Sequence, residues 1–165
     1  MTLTETTSQI EAARFQYGML ARIMQLNTDG VTHEESLVRA VPTGSHINWV
    51  LGHVVATRCL LLLGLRQESP WSEETLAIYR RGSSGAVEAN YLPFDEIVRA
   101  FHVTQERILS GIGTVSDEEM ITVSSASPKP EPAGATLLRL AIHEGYHLGQ
   151  IGILRRVAGK DGTIK

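Results

Sequence analysis

Leu140-Ala141-Ile142-His143-Glu144-Gly145-Tyr146-His147-Leu148 places two histidines four residues apart inside a largely apolar run that holds no proline. Residues at i and i+4 sit one above the other on a helix, so both imidazoles can face one metal ion while Glu144 stands between them in sequence. Working outward, Leu140, His143, His147, Ile151 and Leu154 follow 3,4,4,3 spacing, which puts both histidines on the stripe that a helix turns toward a core. This helix is expected from Ala133, after the spacer Pro128, Pro130 and Pro132, to Ala158, with Gly159 as its stop. The string His-Glu-x-x-His has two possible owners. One is a zinc peptidase of the zincin type with the glutamate as general base; the other is a helical-bundle metalloprotein in which a histidine from another helix completes the set.

Three further segments carry helical periodicity. Gln9 to Leu26 opens with a capping box, Ser8 as N-cap and Glu11 three residues on, and lines up Ile10, Ala13, Tyr17, Leu20 and Met24. His46 to Leu65 follows the turn Pro42-Thr43-Gly44-Ser45, with Ser45 as the expected N-cap and Gly64 near its end, and is apolar all round. Pro93 to Ser110 has Asp95 and Glu96 beside its N-terminus, where the helix dipole favours negative charge, and Phe94, Ile97, Val98, Phe101 and Ile108 on one face. Thr32 to Glu35 and Ser116 to Glu119 have capping-box spacing and predict single helical turns. The connection Arg66 to Asn90, Gly- and Ser-rich at Gly82 to Gly85, is long enough to roof a site. Ile121-Thr122-Val123 is the one stretch that reads as extended. An all-α four-helix bundle is expected, as a single domain over residues 1–165.

Composition narrows the function classes. Hydrophobic residues make up 42% of the 165 and charged residues 20%, a globular balance. No apolar run approaches the roughly 20 residues that span a bilayer, and Met1 to Ser8 lacks the pattern of a secretory signal, so no membrane partner and a cytoplasmic location are expected. Net charge is −3, with basic residues scattered apart from Arg80-Arg81 and Arg155-Arg156, which argues against nucleic acid. The single cysteine, Cys59, lies in the apolar run Cys59 to Leu63 and reads as a small buried hydrophobe.

Four other histidines compete for third ligand. His33 lies in a polar loop beside Glu34 and Glu35, His46 at a helix start and His102 beside an apolar stripe, whereas His53 sits mid-helix between Val50 and Thr57 and next to Gly52. His53 is therefore the natural partner of His143 and His147. Three neutral imidazoles with an open position suit zinc, and nickel or iron(II) equally, because imidazole discriminates weakly among late first-row metals. A zincin needs a ligand downstream, yet the eighteen residues after His147 hold Asp161 and neither histidine nor glutamate. Glu144, roughly 60° around the helix from His147, is the candidate for a general base, against a reading as a surface glutamate.

Asn48-Trp49-x-x-Gly52-His53, together with His143-x-x-x-His147-x-Gly149-Gln150-Ile151 running into Leu154-Arg155-Arg156, resembles the DinB-like superfamily of bacterial bundle metalloproteins, as does the segment Leu92-Pro93-Phe94-Asp95 that opens the third long helix. The resemblance implies up-down-down-up topology, a homodimer, and a divalent metal held by three histidines, here His53, His143 and His147. It also implies a metal-dependent hydrolase or a low-molecular-weight-thiol transferase, like the mycothiol-dependent isomerases and bacillithiol transferases of the family, with a small-molecule substrate. A non-catalytic stress or ligand-binding protein is the alternative. Tyr146, Arg58 and Arg155 are near the ligand positions in sequence.

Overall fold

The computed structural model describes residues 8–83, 90–124 and 130–162. Four long helices, α1 (Gln9–Thr28), α3 (Ile47–Gly64), α5 (Phe94–Ile112) and α7 (Ala133–Val157), carry the core, and three short ones, α2 (His33–Ser36), α4 (Glu73–Ile78) and α6 (Asp117–Ile121), lie in the connections. Among the described residues the fold is all-α apart from one antiparallel pairing of two-residue strands, β1 (Val123–Ser124) with β2 (Glu131–Pro132), which holds the entry to α7. Residues 84–89, which include Gly85 of the Gly- and Ser-rich stretch, lie outside the described residues, as does Pro128 of the proline spacer.

Local chemistry starts these helices where the sequence predicts. At α1 the Ser8 hydroxyl accepts from Glu11 N while the Glu11 carboxylate accepts from Ser8 N, the reciprocal pairing of a capping box. Thr32 with Glu35 and Ser116 with Glu119 repeat it at α2 and α6. At α3 the cap is His46 rather than Ser45: the fully buried His46 ring lies edge-on to Tyr91, and its Nδ1 accepts from Trp49 N at 3.2 Å, as an aspartate oxygen would. At the other end of α3 the left-handed residue is Arg66 (φ 57°), not Gly64, and Gln67 N closes back onto Leu62 O. The six-residue α4 was not legible as a periodic segment; only Ser72, whose hydroxyl accepts from Thr75 N, marks it.

Packing runs around the ring α1, α7, α3, α5 and back to α1. Helix α3 is long and apolar enough to cross a membrane, but 72% of it is buried inside the protein, where Ile47, Leu51, Val55 and Leu62 are fully enclosed. It is the core helix. Its C-terminal end approaches α5 so closely that a Cβ on Gly111 would lie 2.7 Å from Leu65 Cβ. Polar side chains tie the seams: Tyr17 Oη donates to Leu137 O, Asn27 Nδ2 to Leu148 O, Asn48 Nδ2 to Leu92 O and Gln105 Nε2 to Tyr17 O. Each of these carbonyls or amides is buried or half-buried, so an unmade bond there would cost about 1–3 kcal/mol.

Candidate metal centre

His53 of α3 and His143 and His147 of α7 meet at the rim of the α3–α7 seam. One ring nitrogen from each lies within 4.8 Å of the other two, and all three side chains are half-buried. Val50, one turn before His53, is buried, Thr57 is half-buried and Leu60 is exposed, so the His53 stripe faces the edge of the core instead of its interior as the sequence suggested. That position gives the imidazoles apolar backing on one side and access on the other.

Hydrogen bonds sort the ring nitrogens. His53 Nδ1 is 2.8 Å from Tyr79 O; a carbonyl only accepts, so Nδ1 carries the proton and Nε2 keeps its lone pair. His147 Nδ1 is 2.7 Å from Gln150 Oε1, and the other end of that amide donates to Tyr146 Oη, an exposed phenol beside the site. His143 Nε2 and His147 Nε2 stand 3.1 Å apart. His143 Nδ1 is buried with no hydrogen-bond partner. The His53 ring is stacked on the Trp49 indole, planes 3° apart, and Trp49 Nε1 donates to Ser83 Oγ.

Burial, followed by the neighbouring charges of His147, His53 and Arg139, pushes the pKa of His143 down to about 4; burial likewise lowers that of His147. Both rings are neutral at pH 7, the form that ligates a metal. Neutral donors, two of them already oriented by a bond to the far ring nitrogen, fit a late first-row divalent ion.

Five residues along α3 from His53, Arg58 makes a different kind of cluster. Its Nε and Nη2 donate to Glu144 Oε2 and Oε1 at 2.8 and 2.7 Å; Nη2 also reaches Gln105 Oε1 at 3.0 Å and Nη1 lies 3.3 Å from Phe101 O. The guanidinium carbon stands 3.6 Å from the centroid of the Phe101 ring. Arg58 and Glu144 are 2% and 3% exposed, so Glu144 is neither a surface residue nor a carboxylate open to a substrate, and the peptidase alternative has no base there. Arg155, in the last turn of α7, reaches Asn27 O and Asp161 O and so closes the end of α1, away from the histidines. His33 Nδ1 accepts from Phe94 N at the start of α5, and His102 is exposed; neither approaches the trio. Cys59 is buried, which pushes its thiol pKa up and keeps it protonated. Sequence reasoning missed Tyr79, which had no signal beyond its place in the long connection.

A family model described as the DinB superfamily matches residues 18–151, a span that takes in all three histidines. The chain belongs to the DinB superfamily. No curated protein matches it. This superfamily member is similar in structure to a DinB-like protein from Bacillus cereus ATCC 10987, known from a crystal structure at 2.01 Å resolution, with a TM-score of 0.67 over 93% of each chain at 16% sequence identity. At that identity the likeness speaks for the fold alone.

Proposed function

We propose that this DinB superfamily member binds one divalent ion, zinc, nickel or iron, through Nε2 of His53, His143 and His147, and acts as a metal-dependent enzyme on a small molecule, either as a hydrolase or as a transferase using a low-molecular-weight thiol. The observation that carries the reading is the convergence of three imidazole nitrogens within 4.8 Å from two helices. Such an ion, when bound, lowers the pKa of a water or thiol and supplies a nucleophile at neutral pH. The chain's own part is to hold the donors neutral, to fix two of their tautomers through Tyr79 O and Gln150 Oε1, and to back them with Trp49 and the buried seam.

The up-down-down-up order belongs to the same reading. Residues 17 and 27 meet 137 and 148, which supports α1 parallel to α7, while 48 and 58 meet 92 and 101, which supports α3 parallel to α5. A homodimer is proposed through exposed apolar side chains, Leu138, Ile142, Tyr146 and Ile153 of α7 and Phe15 and Met19 of α1; sedimentation as a monomer at micromolar concentration would count against it. A single domain and a cytoplasmic location complete the proposal.

One observation favours a second reading, a metal or ligand binder without turnover: the carboxylate adjacent to His143 is committed to Arg58 and is not free to move a proton. Elemental analysis of protein purified without an affinity tag, beside His53→Ala, is the first test. Near-stoichiometric metal lost in the variant supports the site, and no metal in either sinks it. Metal-dependent turnover in a screen of hydrolase and thiol-transfer substrates then rejects the binder, whereas a metal-dependent melting temperature without turnover supports it.

A further inference from the structure

Among the described residues, the long connection between α3 and α5 reaches His53 itself through the backbone carbonyl of Tyr79, the residue that caps the C-terminal end of α4. Its position is enforced. The Tyr79 ring is fully buried and packs against Gly52, so near that a Cβ at Gly52 would fall 2.1 Å from Tyr79 Cδ1 and 2.3 Å from Cε1. No side chain fits there, because contacts under 3.0 Å with a rigid ring force one partner to leave. The phenol then fastens the ring at its far end: Tyr79 Oη donates to Asn48 Oδ1 and accepts from Leu92 N at 2.9 Å, while Asn48 Nδ2 donates to Leu92 O. Trp71 stacks on the outer side of the ring at 5.3 Å between centroids. Ring, phenol and cap thus hold one carbonyl 2.8 Å from His53 Nδ1, although the two residues are 26 positions apart.

We infer that Gly52 and Tyr79 are positioning residues for the metal centre: the notch at Gly52 seats the Tyr79 ring, and the seated ring aims the Tyr79 carbonyl at His53 Nδ1, which fixes the tautomer and the rotation of the imidazole and directs Nε2 at the ion. The inference rests on the metal reading above and extends it from three ligands to the connection around residue 79. A histidine ligand whose other nitrogen loses its acceptor typically binds metal about 10- to 100-fold more weakly. Gly52 is therefore present for a reason that Asn48, one turn earlier on the same helix, shares: both receive Tyr79.

The experiment takes the metal-free full chain and measures two things, zinc affinity by competition with a chelator and the ring nitrogen spectrum of His53 by long-range proton–nitrogen NMR. In the wild type His53 is expected as the Nδ1–H tautomer. Gly52→Ala is expected to keep its helical circular dichroism, to lose about 10- to 100-fold in zinc affinity, and to show His53 as a mixture of tautomers. Tyr79→Phe, which keeps the ring and the carbonyl but loses both bonds of the phenol, is expected to lose less zinc affinity than Gly52→Ala, and a larger loss overturns the assignment of the seating to the notch at Gly52. Should Gly52→Ala lose helicity, the pair Gly52→Ala/Tyr79→Ala removes the clash along with the anchor, and the same loss of affinity and mixed tautomers are expected. Wild-type affinity in either Gly52 variant overturns the inference, as does an Nε2–H His53 in the wild type. A wild type that binds no zinc sinks the metal reading, and the positioning of His53 is then decided by the tautomer spectra of wild type and Gly52→Ala.

Discussion

Two polar clusters bridge α3 and α7 and are opposite in every respect that matters for chemistry. Arg58 and Glu144 are enclosed, oppositely charged and matched: both carboxylate oxygens and most guanidinium donors have partners, and the Phe101 ring covers the cation. His53, His143 and His147 are half-exposed and alike: Nε2 of His143 and Nε2 of His147 face each other at 3.1 Å, and His143 Nδ1 has no partner. A closed cluster has no valence left for a ligand, so it serves the fold. An open set of like donors gains little from its own members and leaves lone pairs available, which is what the proposed function draws on.

The largest effect that would sharpen this contrast is the loss of Glu144. Glu144→Ala leaves the Arg58 cation buried and uncompensated, and a destabilisation of about 3–5 kcal/mol is expected in urea unfolding, with most of it recovered in Arg58→Met/Glu144→Leu. Next in size, zinc at about 100 times its dissociation constant is expected to stabilise the wild type by about 2.7 kcal/mol and His147→Ala by nothing, while the metal-free stability of that variant stays close to wild type. A metal-free His147→Ala as unstable as Glu144→Ala would break the comparison.

Acid acts on the open cluster more gently. The folded His143 titrates near pH 4 and the unfolded one near 6.5, so between those values the unfolded chain holds the extra proton and unfolding is favoured as pH falls. His147 works in the same direction. Stability of the metal-free protein is expected to be complete above about pH 6.5 and to decline toward about pH 4, and His143→Ala is expected to flatten that slope in urea midpoints taken across the range. The smallest effect is expected at an ion pair of the same chemistry as Arg58–Glu144 placed in water: Arg99→Ala, which removes the exposed partner of Asp95, should leave the urea midpoint unchanged.

Much of this could be read from the chain because it is local. Ser8 with Glu11 and Ser116 with Glu119 announce helix starts within four residues, and a His-x-x-x-His pair needs only the helical repeat to meet. His53 was legible from its place in the middle of an apolar helix. What stayed hidden depends on pairings across the fold. Glu144 projects away from His147, and nothing nearby in sequence says that a guanidinium 86 positions earlier will take both its oxygens. His46 as a cap and Tyr79 as an acceptor are equally invisible, since one uses a ring nitrogen in place of a hydroxyl and the other acts through its backbone. Helix α4 has too few residues to display a period.

The division of the site between α3 and α7 also sets the order of events on the ribosome. Chains emerge N-terminus first, and a domain folds as a unit once its elements are out. While α1, α3 and α5 are already outside the tunnel, Arg58 has no carboxylate to meet and the donor set has His53 as its single member. The arrival of α7 delivers Glu144, His143 and His147 within about one helical turn, so the buried ion pair of the core and the remaining two histidines are acquired together. A nascent chain therefore lacks the three-histidine set, and on the proposed function an ion would meet the full set only in molecules whose last long helix has docked.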